Sequence, residues 1–221
     1  GNELLDAMPV ERFRIHNEAI QSCMVGWEKN HFVWREQPAG TAVSERAASL
    51  KLEQGYVSEI GLAAEGWVRS VADILQQGVL LLIDYGFPRH EFYHPERRAG
   101  TLMCHYRHHA HSDPLIRVGL QDITTHVDFS AITTAGIESG LEVLGYNSQA
   151  MFLLGCGLDE IAAGIDQSDA RAYLQFTNTV KKLTLPHEMG ELFKVIALGR
   201  GIQTPLVGFR LQDRRDRLVG C

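Results

Sequence analysis

Val79-Leu80-Leu81-Leu82-Ile83-Asp84-Tyr85-Gly86 is the stretch that sets the fold class. Five consecutive apolar residues run into a polar turn and a glycine, the pattern of a strand covered on both faces, as in a parallel sheet. Immediately upstream, Leu62, Trp67, Val68, Val71, Ile74 and Leu75 fall at helical spacing and Gly78 follows as a stop, which predicts a helix over about 61–76. Helix into buried strand into polar loop is half of a βαβ unit. The expected fold class is therefore α/β, with this strand in a parallel sheet. In open sheets of this kind ligands bind just past the carboxyl ends of the strands, where Asp84 and Tyr85 fall.

Upstream, residues 10–37 read as strands: Arg12 and Arg14 alternate with Phe13 and Ile15, and the runs Gln21 to Trp27 and His31 to Arg35 flank the polar turn Glu28-Lys29-Asn30. This predicts an antiparallel β-hairpin. Its large apolar groups Trp27, Phe32 and Trp34 are expected to be core contacts. In the mixed stretch 38–59, Ser44 is a candidate cap for a short helix through Leu52. Downstream, 87–127 is a long His-, Arg- and Asp-rich connection with enough aromatic content to be an ordered loop. A helix over about 129–139 capped by Asp128 or Ser130, a strand around Leu141–Tyr146, helices around 148–154, 158–165 and 168–182, a mixed stretch at 187–197 and a last strand near Leu206–Leu211 complete a single domain.

The chain has 221 residues, 45% of them hydrophobic and 22% charged, which excludes a disordered, collagen-like or coiled-coil chain. With 27 acidic and 21 basic side chains and a formal charge of -6, it lacks the broad basic face of a nucleic-acid binder. No apolar run approaches the roughly 20 residues of a membrane helix, and no signal core marks the N-terminus. The four scattered cysteines, without a CxxC pair, read as free thiols of a reducing, cytoplasmic setting.

Seven of the ten histidines lie between His90 and His126, densest in Cys104-His105-Tyr106-Arg107-His108-His109-Ala110-His111. Such a cluster raises a metal site, yet neither HExxH nor CxxC spacing is present, and the expected metal is none. Hydrogen-bonded scaffold and direct substrate contact are the other two readings. Asp113, Asp122 and Asp128 punctuate the same loop, and a carboxylate beside an imidazole such as His126 can fix its tautomer. Glycine-rich phosphate cradles and a GxSxG nucleophile elbow are missing.

Three stretches together resemble a known family. They are Asn2-Glu3-Leu4-Leu5-Asp6-Ala7-Met8-Pro9-Val10; Leu82-Ile83-Asp84-Tyr85-Gly86; and Arg98-Ala99-Gly100-Thr101-Leu102-Met103-Cys104-His105, continued through Asp113-Pro114-Leu115 and Gly119-Leu120-Gln121-Asp122-Ile123-Thr124-Thr125-His126-Val127-Asp128-Phe129. The chain is similar here to the MidA-type S-adenosylmethionine-dependent methyltransferases, a family that includes a mitochondrial complex I assembly factor methylating arginine. The resemblance implies the C-terminal portion of a class I (Rossmann-like) methyltransferase, a mostly parallel sheet with helices on both faces into which the 10–37 hairpin is inserted, with NExxDAxPV at the end of the fourth strand and the cofactor's Gly-rich loop upstream of it. It implies S-adenosylmethionine as cofactor and methyl transfer to a protein side chain, arginine above all. Glu3, Asp6 and Asn2 are then the catalytic candidates, Asn2 and Pro9 touch the cofactor, and Asp84, Tyr85, His105, His108, Asp122, His126 and Asp128 face the acceptor. A protein acceptor is the implied partner, with neither nucleic acid nor membrane, and the hairpin covers the acceptor site or makes an oligomer contact such as a homodimer. The compartment is the cytoplasm, or the mitochondrial matrix in a eukaryote. Two alternatives stand beside this reading: a metal-dependent hydrolase or oxygenase using the histidine cluster, and a non-catalytic, methyltransferase-like interaction module.

Overall fold

The computed structural model describes residues 1–17, 19–107, 109–166 and 168–218, so His108 and Cys221 lie outside the described residues. Strands β1 (Glu11–His16), β2 (Ala19–Glu28) and β3 (His31–Pro38) are followed by α1 (Thr41–Ser49) and β4 (Val57–Ile60). They form one antiparallel sheet in the order β3-β2-β1-β4. Lys29 and Asn30 connect β2 to β3 with φ of 45° and 69°. Two successive left-handed residues make a tight hairpin turn whose twist matches its strands. The expected hairpin is thus present within a larger sheet, and Phe13, Val43, Ala47 and Ile60 give that sheet a core of its own beneath α1.

Two local expectations fail here. Gly40, not Ser44, precedes α1; Ser44 lies inside the helix and its hydroxyl donates back to the Ala39 carbonyl at 3.0 Å. Trp27 and Phe32 are not core residues: they are 59% and 37% exposed and pack edge to face on each other at 4.9 Å. The reason is length. The β1 ladder reaches along β2 only as far as Ser22, while β2 and β3 stay paired out to Glu28 and His31. Trp34 is half-buried, with the Arg12 guanidinium 4.7 Å above its ring.

Helix α2 (Leu62–Ile74) and strand β5 (Gly78–Phe87) occupy the positions that the apolar run predicts. After α3 (Arg89–Phe92), the long connection folds into a small antiparallel sheet of β6 (Met103–Tyr106), β7 (His109–His111) and β8 (Asp122–Thr124), in the order β7-β6-β8. Then come β9 (Val127–Asp128), α4 (Phe129–Glu138), β10 (Glu142–Ser148), α5 (Gln149–Gly155), α6 (Leu158–Ala163), α7 (Ala170–Thr184), α8 (Met189–Leu192) and β11 (Phe193–Arg200). The last strand is β11. Residues 206–211 hold instead a 3-10 turn, Val207–Phe209, because Leu206 and Phe209 turn inward three residues apart, the period of that helix rather than of a strand.

The central sheet has the order β10-β11-β5-β9. The expectation of a mostly parallel sheet is corrected: β10–β11 and β11–β5 are antiparallel, and among the described residues parallel pairing is confined to β5–β9 and an isolated bridge between Asn2 and Ile83. β5 and β10 run in the same direction, but β11 returns between them against both, so each meets an antiparallel neighbour. Side chains of β5 alternate as period two requires. Leu80 and Leu82 join a cluster with Val68, Phe129, Ile132 and Ile196 beneath α2 and α4, while Leu81 and Ile83 join Val195, Phe152 and Phe209 on the opposite face. The fully buried ones among them, such as Val68, Leu82, Phe129 and Val195, contribute about 1.5–3 kcal/mol each.

Gly86 marks where β5 meets β9: a β-carbon there would collide with the Val127 backbone. Gly86→Ala is expected to push β9 off the sheet and lower unfolding free energy by about 2–4 kcal/mol, measured by urea titration. A loss below about 0.5 kcal/mol would mean that the two strands are not held this closely.

Candidate functional site

The site grows from one carboxylate. Asp84 follows the apolar run of β5 and is 1% exposed. Its Oδ2 accepts the backbone N–H groups of Leu4, Leu5 and Asp6 at 3.1, 2.9 and 3.3 Å, and its Oδ1 accepts that of Tyr85 at 2.9 Å. The first three donors belong to one tight turn, entered at Glu3 with φ of 48°. Before that turn, residues 1–3 run alongside β5: Ile83 N–H donates to the Gly1 carbonyl and Glu3 N–H to that of Ile83, both at 2.9 Å. Asp84 therefore pins the end of a parallel segment to the end of its neighbour.

Asp6, buried by the same turn, receives the Tyr85 hydroxyl on Oδ2 at 2.5 Å, while its Oδ1 has no hydrogen-bond partner among the described residues. Its backbone carbonyl accepts Thr125 N–H at 3.0 Å, so the 4–6 turn also anchors the segment that leads into β9. His126 stands edge-on to the Tyr85 ring at 5.5 Å and against Phe87 at 5.2 Å, with Nδ1 lacking a partner. Phe193 closes the other side of Tyr85 at 5.3 Å.

Burial dominates the protonation of this group. Desolvation, and secondarily the Asp6 charge, push Asp84 up to about 6 against the pull of its backbone donors. Burial, with Arg97 and Lys194 nearby, lowers His126 to about 4, so its ring is neutral near pH 7. Burial and the bond to Asp6 raise the Tyr85 phenol, which stays a donor.

A cavity of ≈ 30 Å³ opens beside this group, with Leu5, Pro9, Glu59, Glu65, His126 and Asp128 in its wall. Asp128 caps α4 through Ala131 N–H at 3.1 Å, as expected, and its other oxygen takes Arg89 Nε at 3.4 Å.

Of the residues singled out in the sequence, Asp6, Asp84, Tyr85 and His126 come together, and Asp128 and Pro9 share the cavity wall with His126. Asn2 and Glu3 sit exposed at the strand end, with the Asn2 amide donating to Glu3 Oε1 at 3.2 Å. His105 and Asp122 face each other across the β6–β8 ladder, both exposed. Among the described residues no three His, Cys, Asp or Glu side chains gather as a metal-holding group; the strand alternation of β6 and β7 spreads the histidines instead. The sequence by itself assigns no role to Thr101, Thr125 or Glu59. Thr101 and Thr125 lie inside the long motif, but an uncharged hydroxyl carries no signal of its own, and Glu59 is a lone acid in an otherwise unremarked stretch.

The sequence profile of a family described as "Putative S-adenosyl-L-methionine-dependent methyltransferase" matches residues 1–147, and the chain belongs to that family. It is 48% identical, at a TM-score of 0.94, to the S-adenosyl-homocysteine-bound crystal structure of a COG1565 superfamily member from Burkholderia thailandensis, over 98% of this chain and 56% of that one. The Drosophila melanogaster mitochondrial protein arginine methyltransferase NDUFAF7 homolog is 26% identical over 95% of this chain and 50% of its own length; the Danio rerio NDUFAF7 is 24% identical over 90% and 46%. The chain spans about half the length of the curated relatives it matches.

The opposed shifts of His126 and Asp84 give a signed pH prediction. A base whose folded pKa lies below its unfolded 6.5 contributes stability that is complete above pH 6.5 and lost as the pH falls through about 4. An acid raised from 3.8 to about 6 contributes stability complete below pH 3.8 and lost as the pH rises through about 6. Urea titrations across this range should show the stability gap between the unaltered chain and His126→Asn widening by about 3 kcal/mol as pH rises, and the gap to Asp84→Asn narrowing. Parallel gaps at all pH values would refute the burial of both groups.

Proposed function

We propose that the chain carries the acceptor side of an S-adenosylmethionine-dependent methyltransferase whose acceptor is a protein arginine. The observation that carries this reading is the buried Asp6 carboxylate, with one oxygen fixed by the Tyr85 hydroxyl and the other unpaired, beside a neutral imidazole at the end of the strand segment. Asn2 and Glu3, exposed at that strand end, present an amide and a carboxylate. That donor set suits a ligand with ammonium and sulfonium charges, and Asn2, Glu3 and Pro9 would hold it. S-adenosylmethionine, when bound, supplies an electrophilic methyl group on a sulfonium.

The rest falls to side chains. A guanidinium keeps its proton, with a pKa above about 12, so a carboxylate must orient one nitrogen and offset the charge. Asp6 Oδ1 serves here and is the acceptor for the proton released as the nitrogen gains its methyl. Tyr85, locked as donor, keeps the carboxylate in place. The uncharged His126 ring offers hydrogen bonding without repelling a cation, as a protonated imidazole would. Glu59, Glu65 and Asp128 stand in the cavity wall, each beside an arginine: Arg12, Arg46 and Arg89. A wider groove of ≈ 470 Å³ between the inserted sheet and the 112–116 loop, with Arg12, Trp34 and Leu115 among its residues, suits a peptide segment of the acceptor protein. The three cysteines among the described residues are free thiols, in keeping with the cytoplasm or a mitochondrial matrix.

Transfer of labelled methyl to a protein acceptor should be detectable for this chain joined to the further residues its relatives carry. Asp6→Asn should lower kcat by about 10²–10³-fold and Tyr85→Phe by about tenfold, with S-adenosylhomocysteine affinity nearly unchanged. Full activity of Asp6→Asn, or label on lysine rather than arginine, would sink the reading.

A further inference from the structure

Glu59 lies on β4, in the inserted sheet, and is 1% exposed. Its Oε2 accepts both the backbone N–H and the hydroxyl of Thr101, at 2.8 and 3.2 Å. Thr101 Oγ1 in turn accepts the backbone N–H of His126 at 3.1 Å. The directions are consistent: a hydroxyl that accepts from His126 still has its own proton to give, and Glu59 can only accept it while that oxygen is unprotonated. The two sides of the relay are rigid. Arg12 Nε stands 3.8 Å from the other Glu59 oxygen, and the Tyr93 hydroxyl donates to the Glu59 carbonyl at 3.1 Å. Gly100 holds φ of 83°, and a β-carbon there would collide with the Glu59 carboxylate, so the loop carrying Thr101 lies directly on it.

We infer that Glu59 is a positioning residue, which through the Thr101 hydroxyl sets the height and angle at which His126 faces the acceptor. The inference rests on the reading of His126 as an acceptor-facing group. On its C-terminal side His126 is followed by β9, held by the Gly86–Val127 register, and on its N-terminal side Thr125 is tied to the Asp6 carbonyl. Between those two anchors the Thr101 hydroxyl accepts the His126 backbone N–H. Without it, a half-buried N–H loses its partner and the peptide is free to rotate toward water. The same carboxylate belongs to the sheet of β1 to β4, so this relay is one of the bonds that join that sheet to the site, beside Val57 N–H on the Arg98 carbonyl at 2.9 Å.

The test uses Thr101→Val, isosteric but unable to relay, Thr101→Ser, which keeps the hydroxyl, and Glu59→Ala. The imidazole titration of His126, followed by NMR in histidine-labelled chain and assigned with His126→Gln, starts near 4. Thr101→Val and Glu59→Ala should move it upward by roughly one unit or more toward the ordinary 6.5, and Thr101→Ser should restore it to within a few tenths. Near-UV circular dichroism establishes that each variant is folded; should Glu59→Ala fail to fold, the valine and serine pair at 101 decides. A folded Thr101→Val with an unmoved His126 titration overturns the inference. Methyl transfer by the unaltered protein is measured separately: its absence, with the titration shift present, would remove the acceptor reading while leaving Glu59 as the residue that positions His126.

Discussion

Everything at the site depends on how Asp84 is solvated. A carboxylate taken out of water needs compensation, and it finds four backbone N–H groups, three of them from the turn at residues 4–6. The exchange works in both directions, since those amides sit at a strand end where no ladder partner remains for them. The turn is thereby fixed in a conformation that strains Glu3 into positive φ and buries Asp6 against Tyr85. Thr125 is then tied to the Asp6 carbonyl. A single buried charge thus organises three segments far apart in the chain.

The surrounding architecture explains why such a charge is tolerated. Strand β5 carries Leu80 and Leu82 to one apolar cluster and Leu81 and Ile83 to another. Polar residues appear only where the strand leaves those layers, at Asp84 and Tyr85. Function and core are separated along one strand by a step of a single residue. Arg97 and Lys194, whose charges act on His126, both stand over the Phe87 ring, at 3.9 and 5.4 Å.

Helices and the buried strand were legible from the sequence because their signals are local: apolar spacing at 62–75, five apolar residues at 79–83, an Asp before a helix at 128. The direction of the sheet was not, because an apolar run shows burial and not which way a neighbour runs, and β11 enters between β5 and β10 from far downstream. Trp27 and Phe32 misled for a related reason. Alternation shows that a residue has a face, but not whether the next strand is long enough to cover it. At the site, Asp6, Asp84, Tyr85 and His126 could be named from motif resemblance and strand-end position. Thr101 and Glu59 could not be given roles, since what matters in each is a contact between segments roughly 25 to 40 residues apart in the chain, and such contacts leave no local pattern.

The overhang of β2 and β3 beyond β1 divides the sheet of β1 to β4 into two mechanical parts. Near Phe13 each strand has neighbours and a core beneath it; beyond Ser22 the ladder is two strands wide, with an aromatic pair at its tip. A two-stranded ribbon without a third strand or a helix is marginal in water. Its amides should therefore exchange with deuterium through a local opening of low free energy, well before those of β5 and β11, which exchange only when the central core itself gives way.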